Sequence, residues 1–292
     1  MDRIRGRDIK KYIRTNLPFF SRRRWRNAIN SARLVNYDLC SALPLYAPHS
    51  GGKYIDRARM TLATAEHIFP VFSKFAAKRL ASSLPELASV ATFEDRSQRG
   101  KENTEKLRSL LTDYGSDKAT THDYHLFYAS LFKDPLTVTS VFEVGLGTNN
   151  THVISNMGRF GKPGASLRAF RDYFANAKIE GADIDRDVLF QESRIHTHWV
   201  DQTAAESFLD LNIPEDSIDL VIDDGLHSPD ANLTTLSYFL NKIKVEGWVI
   251  IEDIAPEALP FWQAVAPLMA PDFEVHIIEA RRALMFAVKR LQ

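Results

Sequence analysis

The sequence of 292 residues contains a single cysteine, Cys40, which excludes an internal disulfide bond and a zinc site built from cysteines. No apolar run approaches the roughly 18–20 residues that a membrane-spanning helix needs. No apolar segment near the N-terminus resembles a secretory signal, so we expect a cytoplasmic protein. Hydrophobic residues make up 45% of the chain and charged residues 25%, which excludes a wholly disordered or fibrous protein.

The chain also lacks net charge, because 37 Lys and Arg residues balance 37 Asp and Glu residues. The distribution is uneven: residues 1–33 carry an excess of nine positive charges, and the rest of the chain carries an excess of nine negative charges. The run Arg-Arg-Arg-Trp-Arg at 22–26 can contact anionic lipid, which makes residues 3–33 a candidate for peripheral contact with the inner membrane face. Such a run is more often a solvated helix face, and nucleic-acid binding is not expected.

The first third of the chain has the pattern of a helical extension. Apolar periodicity predicts three helices, over about 3–15, 22–35 and 54–80. No strand pattern occurs before residue 135, and the polar stretch 93–103 is typical of a linker. We therefore predict a basic helical extension over residues 1–95 and a larger domain over residues 96–292.

After residue 135, short β-rich runs alternate with helical patterns. Seven strands are predicted, over 137–144, 178–183, 195–200, 218–222, 247–251, 273–278 and 283–288. The helices among them are predicted over 166–175, 203–209, 232–242 and 258–269. This alternation predicts an α/β, Rossmann-like fold with a seven-stranded, mostly parallel sheet that is covered on both faces. The last two strands are too close for a helix and form a closing antiparallel hairpin.

Ligands bind such sheets at the carboxyl ends of the strands, so the residue that ends each strand is informative. The first strand carries Glu143, and Gly145 and Gly147 follow in a turn that lets the backbone approach a ligand closely. Asn150 replaces the third glycine of the dinucleotide fingerprint, and a long loop over 150–164 delays the next helix. The pattern argues against an NAD-dependent oxidoreductase, and an ordinary turn is the simpler alternative.

The second and third strands are each followed by acidic residues. Asp183 ends the second strand, where a carboxylate can accept hydrogen bonds from the hydroxyls of a ribose. Asp201 follows the third strand and can accept a hydrogen bond from an exocyclic adenine amine. Asp185 can instead cap a short helix, and Thr203-x-x-Glu206 has the pattern of a capping box.

Two acidic pairs follow the fourth and fifth strands, which we expect to be neighbours: Asp223 with Asp224, and Glu252 with Asp253. Clustered carboxylates repel one another unless a cation joins them, and oxygen ligands suit a hard ion such as Mg²⁺. Asp224, Glu252 and Asp253 are the predicted ligands, because Asp223 points to the other side of its strand. His227 can accept a proton near neutral pH. Alternatively, these carboxylates cap helices or begin loops.

Taken together, these features resemble the class I S-adenosylmethionine-dependent methyltransferases. The features that carry the resemblance are Glu143-x-Gly145-x-Gly147, Asp183, Asp201 and the closing hairpin. The runs Asp223-Asp224-Gly225-Leu226-His227 and Ile251-Glu252-Asp253 are similar to the metal-dependent macrolide sugar O-methyltransferases of the mycinamicin type. Two further segments share this similarity, Tyr114-Gly115-Ser116-Asp117-Lys118 with His122, Tyr124 and Tyr128, and Gly164-Ala165-Ser166-Leu167-Arg168. The resemblance covers about residues 110–290.

The resemblance implies a role for each residue. Mg²⁺ or a similar divalent cation would be bound by Asp224, Glu252 and Asp253, and His227 would be the catalytic base. The residues implied to contact S-adenosylmethionine are Glu143, Gly145, Gly147, Thr148, Ser166, Asp183, Asp201 and Gln202. From its position before the first strand, we also expect segment 110–133 to be a lid, with Lys118 at the cofactor carboxylate and with Tyr124, His125 and Tyr128 as candidate lid or substrate contacts. Alternatively, it is a polar helix start capped by Asp117 or Thr121.

The function implied is Mg²⁺-dependent transfer of a methyl group from S-adenosylmethionine to a hydroxyl of a sugar, a glycosylated metabolite or a polysaccharide. One alternative is O-methylation of a catechol-like phenol. An alternative of another class is an inactive methyltransferase-like module that binds membrane or nucleic acid through its basic arm. The sequence leaves the acceptor and assembly into a homo-oligomer open.

Overall fold

The computed structural model describes residues 71–72 and 85–292, and all of them belong to one compact unit, Phe69–Gln292. The basic arm, Cys40 and the helices predicted over 3–15 and 22–35 lie outside the described residues. So does the helix predicted over 54–80, except for residues 71–72, which are helical. None of the helices in this part of the chain is long and apolar enough to cross a lipid bilayer.

A nine-stranded sheet forms the centre of the unit. The strands are β1 Leu87–Ser89, β2 Ser140–Val144, β3 Lys178–Asp183, β4 Gln191–Glu192, β5 Ile195–Trp199, β6 Ile218–Asp223, β7 Ile243–Ile254, β8 Phe273–Glu279 and β9 Leu284–Arg290. Their order across the sheet is β1-β8-β9-β7-β6-β2-β3-β5-β4. Neighbours are parallel, except that β9 runs antiparallel to β7 and β8 and β4 runs antiparallel to β5. The predicted α/β fold with its closing hairpin is confirmed.

Helices cover both faces of this sheet. The described α-helices of four or more residues are α1 Gln98–Tyr114, α2 Asp117–Thr120, α3 His125–Tyr128, α4 Ala165–Tyr173, α5 Pro229–Phe239 and α6 Leu259–Val265. Successive side chains of a strand point to opposite faces. Val141 and Ile250 accordingly pack in a core with residues of α1, α3 and α4, while Phe142 and Val249 pack with residues of α5 and α6. Burial on both faces is expected for parallel strands.

The chain changes direction across the sheet at β2. From β2 it continues to β3 and β5 on one side, and it then returns to β6 on the other side of β2. Val144, Asp223 and Ile251 stand in register on β2, β6 and β7. The residues that follow these three positions therefore meet at one edge, at the switch point where sheets of this kind bind ligands.

The structure corrects the organisation predicted before residue 115. β1 pairs with β8 although no strand was expected there, and α1 begins inside the predicted linker. The Ser97 side chain accepts a hydrogen bond from the Gly100 amide at 3.0 Å, and Gly115 ends the helix with a φ of 83°. Only four of the 17 residues of α1 are buried, so its apolar periodicity is weak. The domain boundary at residues 95–96 stays a prediction.

A second correction concerns the chain beside β5. The helix predicted over 203–209 is a 3₁₀ helix, Ala205–Leu211, whose N-cap is Ala204. The predicted capping box of Thr203 and Glu206 therefore does not form. Instead, the amide and the hydroxyl of Thr203 donate to Asp201 Oδ1 at 2.9 and 2.7 Å. The two-residue strand β4, which pairs with β5, was not predicted either.

Candidate functional site

A cleft of about 750 Å³ opens at the carboxyl edge of the sheet. Ten of the sequence-predicted site residues line it: Lys118, Gly145, Gly147, Ser166, Asp183, Asp201, Gln202, Asp224, His227 and Asp253. A cleft at this edge that gathers the ends of five strands matches the usual position of ligand sites in α/β folds. The predicted residues that do not line the cleft are Glu143, Thr148, Glu252, Tyr124, His125 and Tyr128.

The glycine turn after β2 forms one wall of the cleft. Gly145 and Gly147 have φ values of 92° and 77°, which L residues rarely adopt. A Cβ at Gly145 would collide with the backbone carbonyl of Asp224, and one at Gly147 would collide with the Met157 side chain. The Gly145 amide donates to the Ala182 carbonyl at 2.8 Å. The two glycines therefore let the turn lie against the loop that carries Asp224.

Replacing Gly145 by alanine is expected to destabilise the protein by about 2 kcal/mol or more, because φ strain adds to a backbone collision. The free energy of unfolding measured in urea tests this. Gly158→Ala is the matched control: Gly158 also has a positive φ, of 66°, but a Cβ there meets nothing within 4 Å. If Gly145→Ala is no less stable than Gly158→Ala, the close approach to Asp224 is contradicted.

Asp183 joins the glycine turn to the end of β3. Its Oδ2 accepts from the Leu146 amide and its Oδ1 from the Asp185 amide, both at 2.8 Å. Burial raises the pKa of the Asp183 carboxyl. Asp185 caps a short 3₁₀ helix and its Oδ2 accepts from the Thr148 hydroxyl at 2.6 Å. Asp183 lines the cleft, and ribose binding by its carboxylate stays a prediction.

Gln202 and Asp223 support the wall that faces the glycine turn. Gln202 Nε2 donates to Asp223 Oδ1 and to the Thr235 hydroxyl, both at 2.8 Å, and its Oε1 accepts from the Leu226 amide at 2.8 Å. Asp223 is fully buried and also accepts from Asn232 Nδ2 at 3.1 Å. Asp223 thus points away from the cleft, as its place on the strand predicted. Hydrogen bonds within the protein occupy both ends of the Gln202 amide, so an adenine contact by this side chain is not favoured.

Three polar side chains converge where β6 and β7 end, and we call them the outer cation group: Asp224, His227 and Asp253. One ligand atom from each lies within 4.8 Å of the others. His227 Nε2 lies 3.9 Å from Asp253 Oδ2, and the three side chains are 27–30% exposed. His227 and Asp253 have φ values of 55° and 52°, and such strained backbone is common at functional sites.

Behind the outer cation group lies the inner carboxylate group, which consists of Glu143, Asp224 and Glu252 around the Lys118 ammonium. Lys118 Nζ lies 2.6 Å from Asp224 Oδ2 and 3.2 Å from Glu143 Oε1, and it also pairs with Glu252. Glu143 and Glu252 are fully buried, and burial raises the pKa of each carboxyl. Asp224 belongs to both groups and connects them.

This arrangement bears on two predicted roles, and both stay predictions. Glu252 does not point into the cleft with Asp253, because neighbouring residues of β7 face opposite sides of the strand. Its Oε1 instead accepts from the Tyr128 hydroxyl at 2.6 Å. Lys118 is 2% exposed and neutralises protein carboxylates, so its charge is not held free for the cofactor carboxylate.

The predicted lid segment packs its aromatic residues against these groups. The Tyr124 hydroxyl donates to Asp253 Oδ1 at 2.5 Å and accepts from the Asp253 amide at 3.2 Å. His122 stacks on Tyr124 with 4.9 Å between ring centroids, and its Nδ1 lies 3.5 Å from Asp253 Oδ1. His122 is one of the residues that carry the family resemblance, which implies no role for it. His125 is buried and does not line the cleft, and its contact with substrate stays a prediction.

The glutamate predicted at the cofactor lies behind the cleft wall, and the predicted serine lines the cleft and contacts this glutamate. Ser166, at the start of α4, donates from its hydroxyl to Glu143 Oε2 at 2.6 Å. Glu143 Oε1 accepts no hydrogen bond, but it lies 3.2 Å from the Lys118 ammonium, with which it forms an ion pair. Glu143 does not line the cleft, whereas its neighbours Ser166 and Lys118 do, and cofactor binding by Glu143 stays a prediction.

The donor set of the outer cation group fits a hard divalent cation. Two carboxylates and one imidazole offer oxygen and nitrogen ligands, and they leave positions for water or a substrate hydroxyl. Asp224 and Asp253 would hold the ion, and His227 lies within reach of the same space. Glu252, the third ligand implied by the resemblance, pairs with Lys118 in this arrangement, and its role as a ligand stays a prediction.

Comparisons with known proteins agree with the fold and with the predicted resemblance. No protein-family model matches the chain. Over 160 residues it is 30% identical to the 8-demethyl-8-alpha-L-rhamnosyl tetracenomycin-C 2'-O-methyltransferase of Streptomyces olivaceus, which covers 54% of this chain and 40% of that protein. The chain therefore spans less than half the length of this curated relative.

Two solved structures have the same fold. One is the MycE methyltransferase from the mycinamycin biosynthetic pathway in complex with Mg and SAH, with 23% identity and a TM-score of 0.52 over 64% of this chain and 55% of that one. The other is MycE with Mg, SAH and mycinamycin VI, with 22% identity and a TM-score of 0.51 over 64% and 54%. The fold of this chain is that of a methyltransferase, as the sequence predicted.

Proposed function

We propose that the chain is an O-methyltransferase that transfers a methyl group from S-adenosylmethionine to a sugar hydroxyl, with Mg²⁺ or a similar divalent cation at the outer cation group. The observation that carries the proposal is that this group opens into the same cleft as the glycine turn and Asp183. A cofactor and a cation-bound acceptor can therefore meet in one space. The relative that methylates a rhamnosyl 2'-hydroxyl and the solved MycE complexes support the choice of a sugar.

Different residues of the chain would have different roles in such a reaction. S-adenosylmethionine supplies an electrophilic methyl group when bound, and the cation stabilises negative charge on the acceptor oxygen. The glycine turn admits the cofactor, and Asp183 is placed to accept from its ribose. Asp224 and Asp253 hold the cation, and His227 takes the proton of the acceptor hydroxyl at an imidazole nitrogen.

A panel of acceptors tests the proposal. Purified chain is incubated with labelled S-adenosylmethionine, Mg²⁺ and either rhamnosides, other glycosides or catechols, and the methylated product is located by mass spectrometry and NMR. We expect methylation of a glycoside hydroxyl with no label on the catechols. Methylation of catechols alone favours the phenol alternative. The absence of methyl transfer and of S-adenosylhomocysteine binding contradicts the proposal and favours an inactive module.

Cellular placement and assembly are further parts of the proposal. A cytoplasmic location is part of the proposal and is in keeping with the sugar methyltransferase relative. The residues that would contact a membrane, 3–33, lie outside the described part of the chain. Peripheral membrane contact and homo-oligomer formation therefore stay predictions.

A further inference from the structure

Lys118 is a buried cation that the proposed reaction does not use. Its side chain is 2% exposed, and its Nζ lies among one oxygen each of Glu143, Asp224 and Glu252. An ammonium has three N–H donors and no acceptor. Lys118 donates to Asp224 and Glu252 and forms an ion pair with Glu143. Burial of an unpaired lysine would be very costly, and these partners make its burial possible.

Each inner carboxylate keeps a second partner on its far side. Glu143 is held by Ser166, and Glu252 is held by Tyr128. Asp224 differs, because it is 27% exposed and its other neighbours, His227 and Asp253, belong to the outer cation group. Asp224 is thus the one carboxylate for which Lys118 and a cation in the cleft would compete.

The charges around Lys118 favour its ionised form. Its Nζ lies 2.6 Å from Asp224 Oδ2 and 3.2 Å from Glu143 Oε1 and also pairs with Glu252, and opposite charges at such distances stabilise the ammonium. The positive charge of Lys118 repels a divalent cation that is bound to the same Asp224 carboxylate. Because Lys118 is buried, solvent screens this repulsion only weakly.

We propose that Lys118 is a resident counter-ion that competes with the divalent cation for Asp224 and so lowers the affinity of the outer cation group for that ion. In the metal-free protein, the ammonium keeps the buried carboxylates together. When the divalent cation binds, Asp224 divides its charge between the two cations. Lys118 is therefore a positioning residue that sets how tightly the metal is held, and this inference rests on the cation site of the proposed function.

Lys118→Met tests the inference, since methionine keeps most of the volume and removes the charge. Titration calorimetry with Mg²⁺ alone, without cofactor or acceptor, is expected to give a Kd at least about tenfold lower than that of the wild-type chain. Without metal the variant should melt well below the wild type, and Mg²⁺ should restore more of its Tm than it adds to the wild type. A purely structural lysine would lower the Tm and leave Mg²⁺ affinity unchanged.

Lys244→Met is the matched control. Lys244 pairs with Asp219 at 2.9 Å at the opposite edge of the sheet, so its removal also breaks an ion pair. We expect a lower Tm that Mg²⁺ does not restore. If Lys118→Met folds poorly, the charge-balanced double variant Lys118→Met with Glu143→Gln is measured instead, with the same expected gain in Mg²⁺ affinity.

The two proposals fail in different ways. A Mg²⁺ affinity within about twofold of the wild type in both Lys118 variants overturns the inference, while Mg²⁺-dependent activity of the wild type leaves the proposed function standing. A third outcome is that Lys118→Met binds Mg²⁺ and the wild type does not. This outcome supports the inference and counts against a metal role in the native chain. If neither binds Mg²⁺, both proposals are overturned.

Discussion

Replacing His227 by glutamine is expected to reduce kcat for methyl transfer by at least about 100-fold, the usual contribution of a general base. Glutamine keeps the size and polarity of the side chain but cannot accept the proton of the acceptor hydroxyl. The Kd for S-adenosylhomocysteine should change by less than about threefold, because Asp183 and the glycine turn are untouched. Single-turnover kinetics and calorimetry on the same preparation measure both quantities.

His196→Gln is the control for this variant. His196 lies on β5, where its ring packs against His198 at 4.6 Å, and it does not line the cleft. We expect the control to retain wild-type kcat. A His227→Gln variant with wild-type kcat would mean that the proton leaves by another route, and the base role of His227 would be wrong.

Replacing Asp253 by asparagine is expected to weaken Mg²⁺ binding by at least about tenfold, since a carboxylate ligand becomes a neutral amide. The rate at limiting Mg²⁺ should fall in proportion and recover partly when Mg²⁺ is raised. Asparagine tolerates the φ of 52° at this position, and its amide oxygen can still accept from the Tyr124 hydroxyl, so the fold should persist. The Mg²⁺ dependence of the initial rate measures the effect.

Asp272→Asn controls for the loss of one negative charge. Asp272 is exposed directly before β8, where it accepts from the Nε2 of the C-terminal Gln292 at 2.8 Å. It should show the Mg²⁺ dependence of the wild type. Equal Mg²⁺ affinity in Asp253→Asn and Asp272→Asn would remove Asp253 from the cation site.

The parts of the fold that the sequence predicted are those with strong periodicity. Buried parallel strands such as β2 and β6 are nearly continuous apolar runs, and turn residues bound them. β1 has only three residues, mostly exposed, and it pairs with residues of β8 that lie 190 positions away in the sequence. β1 forms because of this tertiary pairing, which a local sequence pattern cannot predict. For α1, however, Ser97 and Gly115 were available as start and stop signals.

The composition of the site was predictable because strand ends meet at one edge. The alternation of side chains also predicted the direction of Asp223, but the sequence analysis did not apply it to Glu252 and Asp253. Glu252 and Asp253 are adjacent in sequence, and a register irregularity between Ile251 and Ile254 in the pairing of β7 with β9 accompanies their divergence. Lys118 reaches Asp224 across 106 positions and Glu252 across 134. Nothing in the local sequence of Lys118 indicates that its partners are carboxylates of the protein rather than of a ligand.

The most direct test of a cation acting at the outer cation group is the initial rate of methyl transfer to an accepted glycoside at saturating S-adenosylmethionine. The rate is measured before chelator treatment, after removal of divalent cations, and after Mg²⁺ is returned. We predict that the rate falls to near background on removal and returns with Mg²⁺ to its original value. A rate that is unchanged by the chelator would contradict the metal-dependent mechanism, whatever the acceptor.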